Sequence, residues 1–150
     1  MKKRLLLAAL LTVFAASLHA QSADTVTKLL ESEKADLYTV SYICCVSADL
    51  ALDTVSPEHA FDILSGRNLV KADSGNTEVT WSLLALIVSD TWNIKESLMY
   101  TLFHNERYAF KQLKALGIIP SNANPHAPVS GSQVLDTLTM TIELYREAVR

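Results

Sequence analysis

The chain has 150 residues, a formal net charge of −3 and a composition that is 49% hydrophobic and 19% charged. This suits one domain with a modest core. It excludes the strongly basic footprint of a nucleic-acid binder and gives the chain as a whole no attraction to an anionic membrane.

The first twenty residues read as a secretory leader. Lys2, Lys3 and Arg4 precede an apolar run over 5–16 that only Thr12 interrupts, and Ser17-Leu18-His19-Ala20 offers a small-residue cleavage site. The run is shorter than the roughly 20 residues that span a bilayer, which favours a cleaved signal over an anchor. No cysteine lies near the cleavage site to suggest a lipid attachment. The expected domain is therefore 21–150, exported to the periplasm or surface of a bacterium, with no transmembrane segment after cleavage. Loss of Lys2, Lys3 and Arg4 takes the formal charge from −3 to −6.

Helix signals dominate the chain beyond this leader. Val26, Leu29, Leu30, Leu37, Val40, Cys44 and Ser47 recur at near-helical spacing, predicting one long helix or two joined near Glu33, ending by Thr54. Cys44 and Cys45 are adjacent and are the only cysteines. They read as small buried side chains, with an intermolecular bridge or a reactive thiol as the alternative in an oxidising compartment. Ser56-Pro57-Glu58 predicts a new helix start, because serine caps free amides and proline fits the first turn. That helix would bury Ala60, Phe61 and Leu64 and stop at Gly66. Residues 73–77 read as a loop. Thr80 can cap a helix carrying Leu84, Ile87, Val88, Thr91 and Trp92, and residues 94–116 read as continuous helix. Gly117 then supplies a left-handed cap, Pro120 blocks resumption, and 121–128 is a second loop. Ser130 and Gln133 have capping-box spacing ahead of Val134, Leu138, Ile142, Tyr145 and Val149. Short extended connectors are expected near Leu69-Val70 and Ile118-Ile119. The expected class is all-α, a repeat or bundle of about five helices with short loop connectors.

Two stretches of this pattern are copies of each other. Ala60-Phe61, Leu64 and Asn68-Leu69-Val70 match Ala109-Phe110, Leu113 and Gly117-Ile118-Ile119 at an offset of 49 residues. Val79-Thr80, Leu84 and Val88 match Val129-Ser130, Val134 and Leu138 at an offset of 50. Such a period means stacked copies of one supersecondary unit, each burying its apolar face against the next.

The second copy resembles the S-layer homology repeat, a module of bacterial envelope proteins. That unit pairs a short helix bearing an alanine-aromatic step with a Gly-Ile-Ile turn, then a Pro/Asn loop and a Thr-Arg-Ala-Glu-Phe helix start. Ser56 to Phe61 and Val79 to Ala85 fit it more loosely. A partial third copy at Lys34-Ala35-Asp36-Leu37 would bring Leu37 into register with Leu84 and Val134, and the family works in threes. The resemblance implies binding of an anionic wall polymer with help from the Arg of that run. Those slots read Lys34, Trp81 and Gly131 here, and the acidic slots read Asp36, Leu83 and Gln133. Lys34 and Asp36 are thus the charged pair the resemblance leaves.

Trp81 and Trp92, 11 residues apart, read either as core or as a stacking face for sugar. Arg67, Lys71, Lys111 and Lys114 flank the two turns, as solvated positions or as an anion site. No motif for nucleotide binding, zinc hydrolysis or a serine nucleophile is present. Glu58-His59, His104 and His126 read as surface positions, with His104 on the solvated side of a helix. The expectation is an exported, non-enzymatic envelope module without a cofactor. Its partner would be peptidoglycan, a cell-wall polysaccharide or an envelope protein. The alternative is a periplasmic helical adaptor or chaperone-like domain.

Overall fold

The computed structural model describes residues 23–70 and 75–146. The leader expected over 1–20, Lys71 and Val149 fall outside the described residues. Seven helices are present among the described residues: α1 over 23–31, α2 Leu37–Ser47, α3 Pro57–Gly66, α4 Trp81–Thr91, α5 Leu98–Phe103, α6 Glu106–Ala115 and α7 Gly131–Tyr145.

The helices form three units, each a peripheral helix followed by a central one: α1–α2, α3–α4 and α6–α7. Their connections differ in length. Residues 32–36 suffice in the first unit, against 67–80 and 116–130 in the others. The units meet in a closed ring of backbone hydrogen bonds. The Ala35 amide donates to the Val129 carbonyl at 2.8 Å, Val129 to Val79 at 2.9 Å, and Val79 to Ala35 at 2.9 Å. All three residues are fully buried.

Each ring residue immediately precedes a helix cap. Asp36, Thr80 and Ser130 hold nearly the same backbone angles, with φ of −85°, −93° and −80° and ψ of 155°, 163° and 161°. Each side chain accepts the amide three residues on, and Ser130 with Gln133 completes a capping box. The first amides of a helix have no partner inside it. Here a neighbouring unit supplies the acceptors. Leu37, Trp81 and Gly131 donate to the carbonyls of Thr77, Ala127 and Ser32 at 3.1, 3.2 and 3.0 Å. One residue on, Tyr38 and Ser82 donate to Gly75 and Pro125, each at 3.0 Å. The arrangement is a pseudo-threefold, with isolated bridges Asp36–Glu78 and Thr80–Pro128 its only ladder pairs among the described residues.

This geometry sets the register of the copies. Val40, Leu84 and Val134 stand four residues past their caps and are fully buried, and Cys44, Val88 and Leu138 repeat the position one turn later. The counterpart of Leu84 and Val134 is therefore Val40 and not Leu37, a shift of three residues from the register read in sequence. Leu37 is the counterpart of Trp81 and Gly131. The short first connection hid this, because no Gly or Pro turn marks it.

Peripheral helices cover the central ones. α3 packs on α2 and α6 on α4, while the end of α1 sits on the start of α7. A Cβ on Gly131 would lie 1.5 Å from the Leu29 carbonyl oxygen, so no other residue permits this approach. The repeated turn after α3 and α6 is the same device twice. Leu69 and Ile118 send their amides back to the carbonyls of Leu64 and Leu113, at 3.1 and 3.0 Å. The left-handed residue that allows it is Asn68 in one copy (φ 58°) and Gly117 in the other (φ 75°). Gly66 itself remains helical.

Two further expectations change. Residues 94–116 are not one helix: 94–97 is outside any helix, and α5 ends at His104 with φ 42°. Asn105 then caps α6 by accepting the Tyr108 amide at 3.2 Å. A side chain that caps competes with helix continuation, which is the physical reason for the break. The stretches around Leu69-Val70 and Ile118-Ile119 are turns and not extended connectors; the bridges lie at the helix caps instead.

Candidate functional site

The insertion that distinguishes the second unit creates a groove. α2 and α3 are joined by residues 48–56, whereas α4 and α6 are joined by 92–105, which contain α5. The α5–α6 junction therefore stands opposite the end of α3, across α4. Between them lies a groove of about 820 Å³. Leu37, Leu83 and Leu86 contribute apolar surface, Leu69 and Val70 extend it, and Ser65, Asn68, His104, Asn105 and Glu106 supply polar groups.

Several of these side chains are held in place. Glu106 accepts a 2.8 Å hydrogen bond from the Ser82 hydroxyl. Asp90, at the end of α4, pairs with Arg67 Nη1 at 3.0 Å through one oxygen and lies 3.3 Å from His104 Nε2 through the other. Asp90 thus links the C-terminal end of α3 to the α5–α6 junction. The Arg67 side chain is 40% exposed, so the pair orients more than it stabilises.

His104 also stacks on Tyr100, with ring centroids 4.9 Å apart. Tyr100 is buried, and its hydroxyl has no hydrogen-bond partner among the described residues. Burial, with the Asp90 charge second, pushes its pKa well above the ordinary phenol value, so the hydroxyl stays protonated. Beside it a second cavity of about 220 Å³ is lined by Ser89, Asp90, Asn93, Lys95, Thr101 and His104. Together the two spaces offer hydroxyl, amide, carboxylate and cationic groups around an apolar floor. That set suits hydrogen bonding to a hydroxyl-rich or mixed-charge ligand. No cluster of three or more His, Cys, Asp or Glu side chains able to hold a metal occurs among the described residues.

The residues singled out in sequence are dispersed. Lys34 pairs with Glu78 at 2.8 Å at the ring's edge, both side chains more than half exposed. Asp36 is occupied as a cap, accepting from the Thr39 amide and hydroxyl at 3.0 and 2.7 Å. Trp81 is the first residue of α4 and is 5% exposed; it lines a small cavity with Gly117, Ile118, Pro120 and Met140. Trp92 is partly buried at the far end of α4, its indole N–H without a partner among the described residues. The two tryptophans belong to the core and form no shared stacking face. Lys111 lies 5.9 Å over the Tyr108 ring and Lys114 5.5 Å over Phe110. Among the described members of the set none lines the groove itself; Arg67 stands at its rim, next to Asn68 and tied through Asp90 to His104. Glu58, His59 and Asp62 are all exposed on α3. His104 and Glu106 escaped sequence reading because 94–116 looked like one helix; Asn105 three residues before Tyr108 was the available signal.

Comparison with protein-family models, with curated proteins and with solved structures gives no match.

Proposed function

We propose that this chain is an exported, non-enzymatic envelope module that binds a cell-wall polymer in the groove between α3 and the α5–α6 junction. The observation that carries the reading is the closed arrangement of three helix–turn–helix units. Such a scaffold leaves clefts between units, and one cleft is widened by an inserted helix and edged by polar groups. The resemblance of the copies to S-layer homology repeats supports the same class. Arg67 and His104 would meet acidic groups of the polymer, while Asn68, Asn105 and Glu106 would meet sugar hydroxyls. The alternative is a helical adaptor holding a partner peptide. Leu83 and Leu86 favour it, because they would accept an apolar side chain of that peptide.

Co-sedimentation with purified cell-wall sacculi tests the reading. Saturable binding is expected, weakened roughly tenfold by Arg67→Ala or His104→Asn, since a charge-assisted hydrogen bond is worth about 1.5–3 kcal/mol. Asparagine tolerates the left-handed backbone at 104, so the fold is preserved. Lys34→Ala run alongside tells this groove from the site that the resemblance implies. Absence of binding at low and moderate salt overturns wall anchoring and favours the adaptor.

A further inference from the structure

Helix α5 is an outgrowth on the pseudo-threefold, and its outer face is apolar. Leu98, Met99, Leu102 and Phe103 are 74, 47, 65 and 57% exposed. They form two i,i+4 pairs, which places all four on one continuous face of roughly 140° at 100° per residue. These are four of the eight large hydrophobic side chains exposed among the described residues. Single exposed leucines are ordinary, but four on six residues are not.

The helix is held rigidly in this pose. Tyr100, on the opposite face, is buried, and Ser97 caps the helix by accepting the Tyr100 amide at 3.4 Å. The buried Gln112 reaches from α6 to take the Ser97 amide at 2.7 Å and donates to the Ile94 carbonyl at 2.9 Å. The apolar side chains are therefore presented by a fixed scaffold.

Charge decides what would cover them. Residues 95–114 carry Lys95, Arg107, Lys111 and Lys114 against Glu96 and Glu106, a net +2 in a chain whose total is −3. Both carboxylates are engaged, Glu96 with the Tyr145 hydroxyl at 3.5 Å and Glu106 with Ser82. Phe103 stacks on Tyr108 with centroids 5.3 Å apart, and Lys111 lies over that ring, so the apolar face continues into an aromatic pair topped by a cation. Lys95 lies beside Tyr100 and His104, toward the start of the helix. An apolar ridge with cations alongside is the pattern of a surface that sits at a lipid interface, side chains among the acyl ends and cations at the headgroups.

We propose that α5 with Lys95 and Lys111 docks on an anionic bilayer surface. Asp90, which shares a cavity with Lys95, is itself paired with Arg67 and His104. Four apolar side chains and two cations give weak, reversible, salt-sensitive attachment.

Vesicle co-sedimentation of the protein from Gln21 tests this; it keeps the seven described helices and the ring. Phosphatidylcholine vesicles with and without phosphatidylglycerol are compared at low and at about 0.5 M salt, where screening is strong. Binding is expected only with phosphatidylglycerol, lost in high salt, and reduced at least about fivefold by Leu98→Ser with Leu102→Ser and separately by Lys95→Glu with Lys111→Glu. All four substituted positions are exposed, so melting temperatures should stay within a few degrees and verify folding. No binding to anionic vesicles, or binding that both double variants retain, overturns the proposal. So does a concentration-dependent dimer that only the serine variant disperses, which would assign the face to a second copy.

Discussion

Cys44 and Cys45 sit side by side on α2 with different surroundings. Both are free and buried. Cys44 faces the bundle axis at the position of Val88 and Leu138, whereas the Cys45 thiol points to the Ala60 carbonyl on α3 at 3.7 Å. Burial pushes Cys45 from its ordinary value of 9.0 up to about 11, with Arg67 opposing weakly. The fold therefore favours the neutral thiol. Its contribution is fully present below pH 9 and is lost as pH rises towards 11, because the unfolded chain ionises first. Stability should fall across that window, and Cys45→Ala, less stable at neutral pH, should show a shallower alkaline fall. Urea midpoints measured at pH 7 to 11 check this. Neither thiol should react with a disulfide reagent at pH 8 until the protein unfolds.

At the scale of elements, the α4–α6 connection is the part that departs from the repeat, and Gln112 is what fixes it. Its amide satisfies Ser97, Ile94 and, at 3.4 Å, Ser89 from a position 3% exposed. Gln112→Leu would strand the Ser97 amide and the Ile94 carbonyl together, costing about 1–3 kcal/mol. The expected result is a lower melting temperature with fast hydrogen exchange confined to α5, since α6 keeps its own cap at Asn105. Loss of protection throughout α6 as well would show that α5 is integral to the unit and not an appendage.

The same connection marks where sequence stopped being readable. Ser56, Thr80 and Ser130 were legible as caps because a capping side chain precedes an apolar helical run in each case, and all three act so. Gly117 was legible because its turn needs a positive φ. Asn68 and His104 hold positive φ without being glycine; Asn68 was marked only by its match to Gly117, and His104 only by the capping Asn105 that follows it. The groove depends on His104 turning the chain back, so it was hidden with that residue. The ring was invisible for a different cause. Ala35, Val79 and Val129 are bonded across units, and backbone pairing at sequence separations of 44, 50 and 94 leaves no mark on residue choice beyond small, apolar side chains.

For the whole molecule, that ring makes the three units one cooperative body. Each ring amide is bonded to a different unit, so no single unit can open without breaking two of the three bonds. Repeat arrays joined only to sequential neighbours can unfold piecemeal. This closed arrangement should not. The Ala35, Val79 and Val129 amides are therefore expected to exchange only through global unfolding, with equal protection. Gly131→Ala provides the perturbation. The added Cβ cannot share space with the Leu29 carbonyl oxygen, so the end of α1 must lift off α7. The strain enters at one interface, yet all three ring amides should lose protection by the same factor, read by native-state hydrogen exchange. Loss at Val129 and Ala35 with Val79 unchanged would mean that the α3–α4 unit holds its own and that the ring closes without coupling its parts.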